Sequence, residues 1–191
     1  QFVQTSLAGA ISLGLEKGRF MPEVRCTCLN LLLTYTGGCR ASCSYCGLAN
    51  NQGTDKSKTF IRVKWPIYSL TEIIKRLTVS RNLFERVCVS MITHRRALAD
   101  TCTVIKLVRE SVDLPVSALL APTVMAGCNG LEEIRSAGAE RAGIAIDAAT
   151  EELFIRHRGA GVGGPHKWDI YWDGVSDAVE IFGRYMVGIH L

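Results

Sequence analysis

Residues 34–50 read TYTGGCRASCSYCGLAN. Cys39, Cys43 and Cys46 stand there in the spacing C-x3-C-x2-C, with Tyr45 directly before the last thiol. An apolar run, residues 29–33, leads into the segment and reads as the end of a strand. Gly37 and Gly38 let the backbone come close to whatever the thiols hold. Three thiolates on one short loop can hold three corners of a cubane iron–sulfur cluster. The fourth iron is then left without a protein ligand and is open to a small molecule.

Other readings of the three thiols fit less well. Structural zinc takes four nitrogen or sulfur ligands, commonly from two paired motifs, and only one C-x2-C is present. A disulfide framework belongs to small secreted domains, whereas a chain of 191 residues can build its own core. Unrelated buried cysteines at this spacing would not need the flanking glycines or the strand before them.

The bulk composition narrows the rest. The length suits one domain, and an apolar share of 48% is ordinary for a globular chain. The formal charge of +4 is spread along the chain without a basic stripe, so nothing points to nucleic acid. No apolar run is long enough to cross a bilayer, and residues 1–18 lack the pattern of a signal peptide. Eight cysteines without a secretion signal point to a reducing, cytoplasmic setting and to metal work. The chain does not begin with Met and stops at GIHL inside an apolar run. It reads as one piece of a longer protein, truncated at the C-terminal side.

Along the chain, strands alternate with helices. Residues 6–17 read as a short helix, so residues 1–24 form a helical lead-in, and 25–191 form the main body. Strand-like stretches are 25–35, 84–92, 115–120, 141–146 and 185–191. Helical stretches are 70–77, 99–112, 129–137, 149–158 and 171–182, the first opened by Ser69 as a cap with Glu72 three residues on. Residues 51–58 read as polar loop, residues 61–70 are ambiguous around Pro66, and residues 161–167 are a glycine-rich loop. This rhythm predicts an α/β fold with a parallel sheet curling into a partial (β/α) barrel of about five strands. The architecture is that of an incomplete TIM-type barrel, with its chemistry at the C-terminal strand ends. The final strand is then expected to pair on one side only, and the cysteines to lie near the surface at the barrel mouth.

The cysteine motif with its aromatic, placed after the first strand of this alternation, resembles the signature of the radical S-adenosylmethionine (SAM) superfamily, C-x3-C-x-aromatic-C. The later part of the chain is similar to the biotin synthase and lipoyl synthase branch, including the radical SAM subunits of two-protein lipoyl synthases. The resemblance implies a [4Fe-4S] cluster on Cys39, Cys43 and Cys46, with SAM on the open iron. It implies reductive cleavage of SAM to a 5′-deoxyadenosyl radical that takes hydrogen from an unactivated carbon. It places Tyr45, Met91, Asp147 and Thr150 around the cofactor, with Asp147 on the ribose hydroxyls. The competing reading of Asp147 is a cap on the helix that begins near residue 149. At the second-strand end the branch carries a carboxylate for the methionine amino group, where this chain has SMITHRR and none. His94 and Arg95 lie at the barrel mouth where they could meet substrate, and the competing reading of His94 is an ordinary surface residue on a loop. His166, Trp168 and Trp172 are candidates to shape a substrate channel, and Trp168 and Trp172, four apart, equally fit the packing of a helix.

The favoured reaction is sulfur insertion of the lipoyl or biotin synthase kind. A rearrangement of the methylornithine synthase or HydE-like kind is the second reading, and a non-catalytic iron–sulfur electron carrier the third. Cys88 falls where one cysteine of a biotin-synthase-type second cluster would lie, but the neighbouring strands carry no partner cysteine. Cys26 and Cys28, alternating on the first strand, read as core thiols or as ligands shared with a segment outside this sequence. The implied partners are a small-molecule or lipoyl-type protein-bound substrate, an electron donor such as ferredoxin or flavodoxin, and a possible second subunit.

Overall fold

The structure, a computed structural model, describes residues 1–49 and 65–191. The polar stretch 51–58 and residues 61–64 of the ambiguous stretch 61–70 lie outside the described residues. The strands are β1 (Phe2–Thr5), β2 (Cys28–Leu33), β3 (Ile67–Ser69), β4 (Arg86–Ser90), β5 (Val116–Leu120), β6 (Arg141–Ala145) and β7 (Val187–His190). The helices are α1 (Leu7–Ser12), α2 (Leu70–Val79), α3 (Ala97–Ser111), α4 (Pro122–Met125), α5 (Gly130–Ser136), α6 (Glu151–His157) and α7 (Trp168–Phe182).

One sheet carries all seven strands in the order β3-β1-β2-β4-β5-β6-β7. β2, β4, β5, β6 and β7 run parallel, each joined to the next through at least one helix. These are the five strands that the alternation predicts. β1 and β3 add an antiparallel edge. The sheet does not close: β3 and β7 are its two edges among the described residues, and residues 187–190 pair with β6 alone, as expected. The fold is a mixed α/β sheet, mostly parallel, consistent with a partial (β/α) barrel.

The two faces of the sheet differ in chemistry because side chains alternate along each strand. Leu29, Leu31 and Leu33 of β2, Val87 and Val89 of β4, and Ala142 and Ile144 of β6 are buried on one face. α3 lies over that face and contributes Val104, Ile105 and Val108 to the same core. The registers place Cys28, Asn30, Arg86, Cys88, Ser117 and Arg141 on the opposite face. That face is largely half-buried and polar, which is why the parallel strands alternate rather than run continuously apolar.

Local signals explain several boundaries. Ser69 caps α2, its hydroxyl accepting from the Glu72 N–H at 3.2 Å, as the sequence predicts. α7 packs directly on α4, and a Cβ at Gly174 would meet Pro122 at 2.9 Å. Trp168 and Trp172 stack edge to face at 5.5 Å on α7, so these two rings pack the helix.

Candidate functional site

The cysteine loop leaves β2 at its C-terminal end. Gly38 turns the chain with φ +68°, a conformation that costs any residue with a Cβ, and its N–H donates to the Tyr35 carbonyl at 2.9 Å. The loop is pinned to two neighbours by three hydrogen bonds. The Arg40 N–H donates to the Thr93 carbonyl just beyond β4 at 2.8 Å. The Ser44 N–H donates to the His157 carbonyl at the end of α6 at 2.9 Å. The Ser44 hydroxyl meets His157 Nδ1 at 3.0 Å. Backbone bonds from Cys46 to Cys43 and from Ala49 to Cys46, both 3.2 Å, coil the segment into successive turns.

Cys39 and Cys43 are 8% and 7% exposed, and Cys46 is half-buried. The thiols are thus more enclosed than the expectation of a surface position at the mouth. Burial pushes the Cys43 thiol up to about 11, with the nearby Arg158 charge working in the opposite direction. Burial also pushes Cys46 up, against a hydrogen bond from the Leu48 backbone. The loop therefore holds protons that a metal displaces on binding.

Behind the loop lies a buried cation. The Arg158 side chain is 8% exposed and pairs with Asp147, whose side chain is 33% exposed. Arg158 also donates to the Tyr45 hydroxyl at 2.8 Å and to the Tyr171 hydroxyl at 2.9 Å. Tyr45 donates to Asp147 Oδ2 at 3.1 Å. Burial works against the Arg158 charge, and Tyr171, Tyr45 and Asp147 outweigh it. Burial raises both phenols, so at neutral pH they carry no charge and the Asp147 carboxylate is the compensating anion.

The network continues with a defined polarity. Arginine only donates, so the Tyr171 oxygen accepts from Arg158 and its own proton goes onward. It reaches His166 Nδ1 at 3.0 Å, which makes Nδ1 the acceptor. Nε2 then carries the ring proton and faces the Thr93 hydroxyl at 3.4 Å. The Thr123 hydroxyl lies 2.9 Å from the same Nδ1. This tautomer is assigned from the network. Desolvation, and secondarily the Arg158 charge, hold His166 down at about 3, so it is neutral. His166 is 3% exposed and joins the loop after β4 and the short α4 to α7, so it serves as a structural connector here and not as the wall of a channel.

The sequence-predicted residues divide. Tyr45 and Asp147 come together and line one cavity of about 510 Å³ with Ala148, Ala149, Leu153 and His157. Thr150 does not line it; its hydroxyl caps α6 by accepting from the Leu153 N–H at 3.3 Å. The cap reading of Asp147 is thereby corrected. Asp147 sits three residues before the cap with φ +55°, and its carboxylate turns to Arg158 instead. Met91 is 8% exposed, packed in the core, and outside the cavity. His94 stacks on Tyr35 with centroids 3.7 Å apart and planes at 15°. Sequence reasoning missed Arg158 and Tyr171 altogether. The one local hint is an arginine closing a helix before glycine.

Among the described residues no three His, Cys, Asp or Glu side chains converge as ligands of one metal ion would. A cubane asks for something different, since each thiolate binds its own iron and the sulfurs stay apart. Three thiols on one pinned loop, beside a buried cation able to offset thiolate charge, fit that donor set.

No family model matches the chain, and no curated protein matches it. Among the described residues no helix is long and apolar enough to cross a membrane. Among solved structures, a crystal structure of methylornithine synthase (PylB) is similar, with a TM-score of 0.57 at 18% identity. The likeness covers 86% of this chain and 44% of that one, so the chain spans less than half the length of the structure it resembles. What the likeness shows is the fold alone, an open, mostly parallel α/β sheet.

Proposed function

We propose that the chain is the cluster-bearing part of a radical SAM enzyme. The observation that carries the reading is the C-x3-C-x-aromatic-C loop at the C-terminal end of the first parallel strand. Cys39, Cys43 and Cys46 would hold three irons of a [4Fe-4S] cluster. When bound, the cluster supplies the electron that cleaves SAM reductively, and the resulting 5′-deoxyadenosyl radical takes hydrogen from carbon.

The chain's own residues do the holding and the shaping. Tyr45 positions the cysteine loop by locking its last turn to Asp147 and Arg158. Asp147 and Tyr45 wall the cavity beside the thiols, and Leu153 gives it an apolar side suited to the adenosine end of SAM. Asp147 is the candidate for the ribose hydroxyls. Met91 and Thr150 act behind that wall, one in the core and one as a cap. The enclosure of Cys39 and Cys43 keeps water from the thiolates.

The reaction after hydrogen abstraction has two readings. Sulfur insertion of the lipoyl or biotin synthase kind follows from the sequence resemblance. A carbon-skeleton rearrangement is supported equally by the likeness to methylornithine synthase. A small-molecule or lipoyl-type substrate and a ferredoxin- or flavodoxin-class donor complete the proposal, and a cytoplasmic setting suits its oxygen-sensitive chemistry.

Anaerobic reconstitution with iron and sulfide, then addition of SAM and a low-potential reductant, tests the reading. Formation of 5′-deoxyadenosine that depends on all three cysteines is the expected result. A fully loaded cluster that leaves SAM intact would favour the electron-carrier reading instead.

A further inference from the structure

At the opposite end of the sheet from the cysteine loop, the first residues of β2, β4 and β6 come together. Cys28 and Arg86 are register partners, and Arg141 lies on the same polar face two strands along, opposite Ser117. A cavity of about 230 Å³ opens there, lined by Thr27, Cys28, Glu85, Arg86, Pro115 and Arg141. Two guanidinium groups on one wall outnumber the single carboxylate of Glu85. No ion pair joins Glu85 to either arginine among the described residues.

Arg86 carries a second, independent sign. Its Nε is buried and has no hydrogen-bond partner. The side-chain acceptor that the guanidinium meets is the Cys28 sulfur, a weak one. An unsatisfied buried donor on a charged group is costly, and native structures leave few of them. Something of opposite charge is expected to meet it. A cavity several times the roughly 30 Å³ that one water occupies in the liquid has room for more than a bridging solvent molecule.

We propose that Arg86 and Arg141 form a binding site for a small tetrahedral oxyanion of the phosphate or sulfate class. The Arg86 fork presents Nε and one Nη side by side, the arrangement that grips two oxygens at once. Arg141, exposed at the rim, supplies the second charge. Thr27, Cys28 and Pro115 complete the lining. This site goes beyond the proposed reaction and does not depend on it, because the cysteine loop lies at the other ends of the same strands.

Titration calorimetry of the purified chain with inorganic phosphate, at constant ionic strength set with chloride, tests it. Saturable binding is expected within a titration to about 10 mM. Arg86→Gln and Arg141→Gln should each weaken it by about tenfold or more, as loss of a charge-assisted contact implies. Arg141→Gln alters an exposed side chain and keeps the test valid if Arg86→Gln fails to fold. A sulfate arm that competes with phosphate, beside a glycerol phosphate arm, separates free oxyanion from a phosphorylated small molecule. Absence of saturable binding by all three probes would overturn the site. So would binding that both arginine variants leave unchanged.

Discussion

His166 links the stability of the folded chain to pH. It is 3% exposed, contacts only neutral hydroxyls directly, and is held near 3 rather than its ordinary 6.5 by desolvation and then by Arg158. The folded chain therefore refuses a proton that the unfolded chain accepts. Stability linked to this group is fully present above the unfolded value of 6.5 and is lost as pH falls from there toward 3. At about pH 5 the loss is RT ln[(1 + 10^1.5)/(1 + 10^−2)], or about 2 kcal/mol relative to about pH 8. The figure barely changes if the folded value is a unit higher, because both lie at or below the working pH. Urea unfolding, followed by circular dichroism under reducing conditions, measures it in wild type and His166→Gln. Gln titrates nothing, and every other group is common to the two proteins. Wild type should lose about 2 kcal/mol more than the variant between those pH values. Parallel pH profiles would refute the reading, and a wild type that gains on the variant as pH falls would show an anion at the imidazole instead.

Further outcomes follow from the same contacts. Replacing Cys39, Cys43 or Cys46 by Ala should abolish a four-iron cluster in anaerobically reconstituted protein, whereas Cys102→Ala should leave the iron and sulfide counts unchanged. Asp147→Ala should weaken SAM binding by about 1–3 kcal/mol in calorimetric titration of the loaded protein, since ribose hydrogen bonds are lost. Unchanged affinity alongside a lower melting temperature would confine Asp147 to its pairing with Arg158. Arg158→Met should cost roughly 2–4 kcal/mol in urea unfolding, and Arg158→Met combined with Asp147→Asn should recover part of it by removing the stranded carboxylate. Gly174→Ala should destabilise by about 1–3 kcal/mol, because the new methyl would meet Pro122 across the α7–α4 contact. Thermal melting would show no change if α4 can move aside.

Much of this molecule was written locally and could be read without coordinates. The C-x3-C-x2-C spacing, the alternation of apolar strands with helices, and Ser69 three residues before Glu72 all act over a few residues. Short-range geometry fixes what such patterns become. The one-sided pairing of residues 187–190 also followed, from counting the strands. What tertiary structure decided lies between residues far apart in the chain. β1 is only FVQT, with no turn signal to announce it, and exists because its backbone finds β2 and β3. Asp147 looks equally like a helix cap or a ligand contact in sequence. Thr150 takes the cap, and Arg158 with Tyr45, 102 residues from Asp147, takes the carboxylate. His166 sits in a glycine-rich loop and reads as a channel residue in sequence, yet packing draws it among the loop after β4, α4 and α7. Cys28, Arg86 and Arg141 become neighbours only through parallel register, which depends on where each crossover helix returns the chain. Spacing along the chain carries the identity of the ligands; the burial and charge around them come from a sheet that no single stretch encodes.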